Sequence, residues 1–448
     1  MTEKDVGKVS YMLNLLGKAN LADASLDDEY EDILTEPMEQ KMNLIKGMKG
    51  SFIPSISVIT DDYESATTVS QDETEISILE VYKANPLPKF LYKKHIAYIL
   101  NSLNRQLPSY FDVLDANHPW MTYWLYNSFH LIKKDDVENT FMDINMVKLL
   151  NDKIESCIID DGQGGIAGGT NQLGHVAATY AAVLTLVSSR NYDLLERIRP
   201  SLYCWLMSLK LADGSFRMHE HGESDARSTY CVLVIASLLN VVSPELTEGT
   251  LAWLNKTQTY EGGFGGSSGT EAHGGYSYCA FASYFILFDT VEEIKNCGLN
   301  LDSLTRWAAM RQFQLEGGLS GRTNKLVDAC YSFWVGAMYS LLESIVDDDI
   351  FDHEGLRNYI LRCSQAESGG FRDKPGKSVD FYHTNYTLCG LSVCEYKVSV
   401  GKVASPLAYN LHSTPRTDEI YTTPVNPVFG IPSEIVHACK VHFQSLDL

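Results

Sequence analysis

Apolar side chains recur along most of this chain at intervals of three and four. The spacing begins between Glu75 and Leu107, where Ile78, Leu79, Val81 and Tyr82 predict one side of a helix. It returns after Asp115-Ala-Asn-His-Pro-Trp120, a cap-like helix start with an early proline, in the aromatic run MTYWLYNSFHLI. From Gly164 onward a longer rhythm is superimposed. Helical runs such as TYAAVLTLVSS, STYCVLVIASLLNVV and CYSFWVGAMYSLLES alternate with a Gly-Gly or Asp-Gly turn followed by an apolar residue. The turns carry Gly164, Gly214, Gly262, Gly317 and Gly369, about fifty residues apart, which predicts repeated helical hairpins. No segment shows sustained strand alternation. The expected fold class is all-α: an α/α barrel, or toroid, of helical hairpins closing on itself. The Trp120 helix and a C-terminal helix near Glu434–Phe443 are expected to supply the sixth unit.

Registering the repeats on their first glycine aligns chemistry as well as helices. Eleven residues on stand His175, Asp225, His273, Asp328 and Asp380; thirteen on, Ala177, Arg227, Gly275, Cys330 and Tyr382. Fourteen on come Ala178, Ser228, Tyr276, Tyr331 and His383, and sixteen on Tyr180, Tyr230, Tyr278, Phe333 and Asn385. Equivalent repeat positions occupy equivalent places, so polar groups should ring one mouth above an aromatic layer. Such a well suits a ligand with an anionic head and a long apolar tail. The plainer reading of these positions is helix caps and core aromatics.

Composition narrows the partners. The 448 residues carry a net charge of -21, which argues against nucleic acid, while a local basic pocket can still hold an anion. Residues 1–75 are read as an acidic, loosely ordered N-terminal arm and 76–448 as the barrel domain. No run of eighteen apolar residues predicts a transmembrane segment, and MTEKDVGKVSYML has no secretory pattern. The ten cysteines lack short paired spacings, which predicts reduced thiols in a cytoplasmic protein, with Cys204, Cys231 and Cys394 as small buried hydrophobes.

Three segments carry candidate chemistry. Asp328 and Cys330 lie two apart at a predicted helix start, and His383 follows one repeat later at the adjacent register. One oxygen, one sulfur and one nitrogen ligand make a three-ligand zinc site with an open position. An open position of this kind would hold a substrate thiol as thiolate. Arg322 and Lys325 precede this segment, and Arg227 and His273 stand in neighbouring repeats; around one mouth they would bind a diphosphate. Asp373 follows the last glycine turn as either a Mg²⁺ ligand or a turn aspartate before Pro375.

At these residues the sequence resembles a known family. EAHGGYSYC (Glu271–Cys279), GRTNKLVDACYSFW (Gly321–Trp334) and DKPGKSVDFYHTNY (Asp373–Tyr386) are similar to signature segments of protein farnesyltransferase β subunits. The likeness runs from roughly Glu75 to the C-terminus and includes LDANHPWMTYW, HVAATYAA, GESDARSTYC and VNPVFGIP. It implies transfer of a farnesyl group from farnesyl diphosphate to the cysteine of CaaX-ending proteins such as small GTPases. It implies a heterodimer with a prenyltransferase α subunit, which adds a lysine to the diphosphate site. It implies zinc on Asp328, Cys330 and His383, and the diphosphate on His273, Arg322, Lys325 and Tyr331. The isoprenoid chain is implied along Arg227, Tyr230, Tyr276, Cys279, Trp334 and Trp120. The peptide is implied near Trp120, Trp124, His175 and Tyr382, and Mg²⁺ on Asp373. Ala178 departs from the family, which usually has proline there.

Three other readings compete. The β subunit of geranylgeranyltransferase type I shares the CYSFWVGA-like run, but bulky Trp120 and Tyr386 would close the well at fifteen carbons rather than twenty. A terpene cyclase would need an acidic proton donor in the cavity, and the Asp347–Asp349 run reads as a surface loop. A non-catalytic scaffold leaves the Arg322, Cys330 and His383 ring without a purpose.

Overall fold

The computed structural model describes residues 40–41, 43–45, 65–85, 88–133, 142–159, 164–402 and 406–446. Its helices of seven or more residues begin with α1 (Ala66–Ala84), α2 (Tyr92–Asn104), α3 (His118–Leu131), α4 (Ile144–Glu155) and α5 (Val176–Ser188). Then follow α6 (Tyr192–Ser208), α7 (Ala226–Leu238), α8 (Thr250–Thr257), α9 (Gly274–Leu287) and α10 (Leu301–Ala309). The last are α11 (Tyr331–Val346), α12 (His353–Tyr359), α13 (Phe381–Glu395) and α14 (Ser433–Phe443). The odd-numbered helices α3 to α13 are apolar nearly all round, the mark of helices buried on every side. Each packs on the next, and α13 returns to α3, closing a ring of six. The even-numbered helices α2 to α12, with one polar face each, form the outer layer.

The glycine turns explain how successive hairpins dock. Gly262 has φ +109, and a side chain there would lie 2.1 Å from the Ser303 carbonyl oxygen on α10. Gly369 has φ +91, and its missing side chain would lie 2.1 Å from the Lys94 carbonyl oxygen on α2. Only glycine adopts that backbone while admitting the next outer helix so closely. A glutamine just before each of three turns completes the joint. Gln258 donates to the carbonyl of Asn300 (2.9 Å) and accepts its N–H (3.0 Å). Gln312 does the same with Asp352, at 2.8 Å each way. Asn300 and Asp352 are the N-caps of α10 and α12. Gln365 makes the equivalent joint at the ring's seam, accepting from Leu91 N–H at 3.0 Å, the N-cap of α2.

His95 of α2 finishes that seam. It is fully buried, and it stacks on Phe371 with ring centres 4.4 Å apart. Its Nδ1 accepts the Gly370 N–H at 3.0 Å, so the ring proton sits on Nε2 and is donated to Gln365 Oε1 at 2.9 Å.

The far end of the barrel is plugged by residues 425–431. Tyr230 and Tyr278 donate to the Val428 carbonyl at 2.8 and 3.1 Å, and Tyr123 and Asn127 to the Gly430 carbonyl at 3.0 and 2.8 Å.

Four expectations need correction or refinement. The sixth unit is α2 with α3, while α14 packs outside the ring against α5 and α7. A short antiparallel hairpin, β1 (Tyr396–Val400) with β2 (Leu411–Pro415), continues directly from α13. No turn residue separates it from the helix, which hid it. Cys204 is exposed, whereas Cys231 and Cys394 are buried; all ten thiols are free. Residue 75 falls inside α1, so the helix spans the expected boundary between arm and barrel; residues 1–39 and 46–64 lie outside the described residues.

Burial lowers the His95 pKa from 6.5 to about 4, against the Gln365 hydrogen bond. The native seam therefore requires neutral imidazole. Its contribution is complete above pH 6.5 and is lost as pH falls toward 4, at roughly 1.4 kcal/mol per pH unit. Unfolding midpoints between pH 7 and 4.5 should fall more steeply for the natural chain than for His95→Gln, whose amide does not titrate. Parallel profiles would clear His95 of the effect.

Candidate functional site

All six inner helices begin at the same end of the ring, so their partly positive N-termini face one mouth. His175, Asp225, His273 and Asp380 are the N-caps of α5, α7, α9 and α13. His175 and His273 cap through Nδ1, accepting from Ala177 and Gly275 N–H at 3.2 and 3.0 Å. Capping and lining coincide at His175 and His273, which also border the cavity below the mouth. Asp328 breaks the pattern. The N-cap of α11 is Cys330, and Asp328 Oδ1 accepts its N–H at 2.8 Å.

Below the mouth lies a cavity of about 660 Å³. Its lining includes Trp120, Trp124, Tyr230, Tyr276, Cys279, Trp334, Tyr382 and Tyr386, with His175, Arg227, His273, Arg322 and Tyr331 toward the polar side. The aromatics form a continuous wall: Trp334 lies 4.2 Å from Tyr386 between ring centres and donates its indole N–H to Tyr382 Oη at 2.9 Å. Trp120 packs on Trp124 and Tyr180 at 5.6 Å each. A side lobe of about 440 Å³ shares Trp120, His175 and Ala177 and is also lined by Asn117 and Ala178.

Two parts of the expected lining differ. Tyr278 is wholly buried behind the wall, and the lining at that level is shared by two register positions: Tyr180 and Tyr230 at its own, and Cys231, Cys279, Trp334 and Tyr386 at the next. A helix turns 100° per residue, so the positions three and four after Arg227 both border its face, and which of the two meets the cavity differs from helix to helix. Met218 and Glu223, which also line the cavity, come from turns whose orientation carries no periodic signal. Lys325 is exposed and is not among the lining residues.

The cations at the mouth are held by carboxylates. Arg227 forms a forked pair with Asp225, at 2.6 Å through Nη2, and lies over the Tyr276 ring. Arg322 Nη1 pairs with Glu271 at 3.1 Å. Tyr331 Oη and His273 Nε2 are hydrogen-bonded at 3.1 Å, with the histidine donating because its Nδ1 accepts. Burial, followed by the Arg322 charge, depresses the His273 pKa.

Asp328, Cys330 and His383 come together beside Tyr331 and Tyr382, with one ligand atom from each within 4.8 Å of the others. His383 Nε2 lies 3.1 Å from Asp328 Oδ1, and Nδ1 lies 2.6 Å from Asp380 Oδ2. Burial opposes charge on His383, but the two carboxylates outweigh it and raise its pKa to about 10. Burial, reinforced by Asp328, pushes the Cys330 thiol well up. The donor set fits zinc: three ligands of suitable type are gathered, and Asp380 orients the imidazole from behind. A second carboxylate–histidine group, Glu343, Asp349 and His353, is already satisfied by a cation, because Arg416 pairs with Glu343 at 2.7 Å and Asp349 at 2.8 Å.

Asp373 stands apart from the main cavity, in a cleft it shares with Glu73, Thr74, Lys374 and Lys377. Lys374 Nζ lies 2.6 Å from its Oδ1 and contacts Oδ2 as well. Burial, then the nearby Asp328 charge, raises its pKa despite that lysine.

Comparison with known proteins agrees with this geometry. The family described as the prenyltransferase alpha-alpha toroid domain matches residues 90–431. The protein farnesyltransferase β subunit of Schizosaccharomyces pombe is 38% identical over 402 residues, covering 86% of this chain and 99% of that one. That of Saccharomyces cerevisiae is 40% identical over 401 residues, covering 87% and 89%. The Arabidopsis thaliana geranylgeranyl transferase type-1 β subunit is more distant, at 28% identity over 74% of this chain and 94% of its own length. Among solved structures, Candida albicans protein geranylgeranyltransferase-I complexed with GGPP matches with a TM-score of 0.64 at 20% identity, over 79% of this chain and 99% of the other, which confirms the fold. The closed ring of hairpins, the polar mouth over an aromatic well and the extent of these matches together place the chain in the prenyltransferase α/α-toroid family, among the protein farnesyltransferase β subunits.

Proposed function

We propose that this chain is the catalytic subunit of a zinc-dependent protein farnesyltransferase. It transfers farnesyl from farnesyl diphosphate to the cysteine thiol of CaaX-ending proteins such as small GTPases. It works in the cytoplasm as a heterodimer with a prenyltransferase α subunit; among the described residues no helix is long and apolar enough to cross a membrane. The observation that carries the reading is the adjacency of a three-donor metal group to an aromatic well with a cationic mouth.

Each group has a task. The well strips water from the isoprenoid chain and stretches it past Tyr276, Cys279 and Trp334, leaving the reactive carbon near the mouth. Arg322, His273 and Tyr331 bind the diphosphate, joined by Lys325 swinging in from its loop, and stabilise the charge that grows as the diphosphate leaves. Arg322 must exchange Glu271 for phosphate; that pair is solvent-exposed, so separating it costs little. Asp328, Cys330 and His383 would hold zinc, which would supply a Lewis acid to keep the incoming thiol as thiolate. Trp124, His175 and Tyr382 flank the peptide. Asp373, once released from Lys374, would hold Mg²⁺, which would help to neutralise the diphosphate.

The farnesyl assignment is favoured over geranylgeranyl by the relatives' identities and by the space available. Trp120 is wedged among Trp124, Tyr123 and Tyr180, and Tyr386 is almost fully buried against Trp334.

Two measurements test the proposal. The purified heterodimer should hold one zinc per chain, and Cys330→Ala should lose it along with peptide turnover while keeping farnesyl diphosphate affinity. A metal-free active enzyme would defeat the zinc assignment. In competition between fifteen- and twenty-carbon donors, Trp120→Thr should move relative kcat/KM toward the longer donor by at least about tenfold. Burying five further carbons is worth roughly 3–4 kcal/mol where room exists, whereas overpacking costs about 1–3 kcal/mol. Unchanged donor selectivity would show that Trp120 does not set chain length.

A further inference from the structure

The segment that carries two of the proposed metal ligands is divided by burial. Asp328 and Cys330 gather with His383, and Cys330 belongs to the main barrel core. Val327 and Ala329 are wholly buried in a different place. With Tyr359 and Cys363 they form a separate apolar cluster, closed by Ile78, Leu79 and Tyr82 of α1 and by Ile45. The ligand segment therefore shares an apolar cluster with a helix that lies outside the ring and precedes residue 90, where the toroid-domain match begins.

Polar contacts hold α1 in that position. Tyr82 donates its hydroxyl to the Glu316 carbonyl, and Gln71 Nε2 donates to Glu316 Oε1 at 3.0 Å. Glu316 is itself fully buried. Lys41, nearly buried, pairs with Asp72 at 2.7 Å and with Glu75, tying an earlier part of the chain to the same helix. The cluster also reaches the neighbouring repeat: the Asp373 carbonyl accepts both the Tyr359 hydroxyl at 2.9 Å and the Ala329 N–H at 3.0 Å.

We propose that α1 is a positioning element of the metal site: its Ile78–Leu79–Tyr82 face backs Val327 and Ala329 and so sets how Asp328 and Cys330 are presented to His383. The inference rests on the zinc reading above. Its physical basis is that close-packed interiors are stiff, so a residue wedged between two ligands transmits the position of whatever lies behind it. Groups behind metal ligands tune affinity without touching the ion.

The test compares Ile78→Ala/Leu79→Ala with Leu254→Ala, a buried position on α8 in another repeat, each in the purified heterodimer. The rate at which a chelator strips zinc is measured, as is the thiolate-to-metal absorption band after Co²⁺ replacement. The double variant should lose zinc about 10–100-fold faster, the range for changes behind metal ligands, with a shifted band. Leu254→Ala should lose thermal stability but retain the natural zinc rate and band, and Ile78→Val/Leu79→Met should restore both. If the double variant fails to assemble, Tyr82→Phe carries the same test, since it removes one hydroxyl and leaves the ring. Natural zinc retention in the α1 variants, or equal acceleration in Leu254→Ala at a matched loss of Tm, would overturn the proposal. A natural heterodimer without stoichiometric zinc would instead bring down the zinc reading on which it rests.

Discussion

The ring has to close, and everything else in the molecule follows from the joint that closes it. Five hairpins can stack in a row without commitment, but a stack leaves the apolar faces of its two terminal units open to water. Here the last glycine turn admits α2 in the way earlier turns admit α10 and α12, and Gln365 grips the start of α2 as Gln258 and Gln312 grip theirs. The seam is thus chemically a repeat joint with one addition, the buried His95. Closure gives the six inner helices a common direction, which brings their N-caps to one rim and leaves an enclosed space.

That common direction gives single residues two roles. An N-cap side chain must turn toward the first amides of its own helix, and in this ring those amides surround the cavity mouth. His273 illustrates the economy: Nδ1 satisfies Gly275, which leaves Nε2–H to meet Tyr331. Asp380 caps α13 through one oxygen and orients His383 through the other. Capping in such a fold already arranges the site.

Much of this was legible in the sequence because it is periodic. The fifty-residue spacing gave the hairpins, and registering them put Arg227, Gly275 and Tyr382, which all line the cavity, at one repeat position. The misreadings fall where periodicity stops. Tyr278 was assigned to the cavity because a one-residue step along a helix, worth 100° of rotation, cannot be resolved by aligning turns alone. Met218 and Glu223 reach the cavity from irregular turns. Lys374, which occupies Asp373, is a local pairing invisible to repeat alignment. The C-terminal helix looked like a ring member because its apolar face has the right spacing; that face serves α5 and α7 instead. The role of α1 was hidden for a different reason: its partners Val327 and Ala329 lie some 250 residues away, a distance no local pattern spans.

The plug at the far end has a consequence for the order in which the molecule is made. The Gly430 carbonyl is bound by Tyr123 and Asn127, which lie 307 and 303 residues earlier in the chain. Residues 425–431 must leave the ribosome before the floor exists, so through most of synthesis the tyrosines that will hold it have no plug to bind. Contacts spanning so much chain form late and slowly, and the nascent barrel exposes an apolar bore until they do. The hydroxyls on Tyr123, Tyr230 and Tyr278 suit that interval, because before the plug arrives they can be satisfied by water, and afterwards by the Val428 and Gly430 carbonyls. A floor bolted by hydroxyls rather than by methyl groups keeps the unfinished barrel wettable until its last segment is delivered.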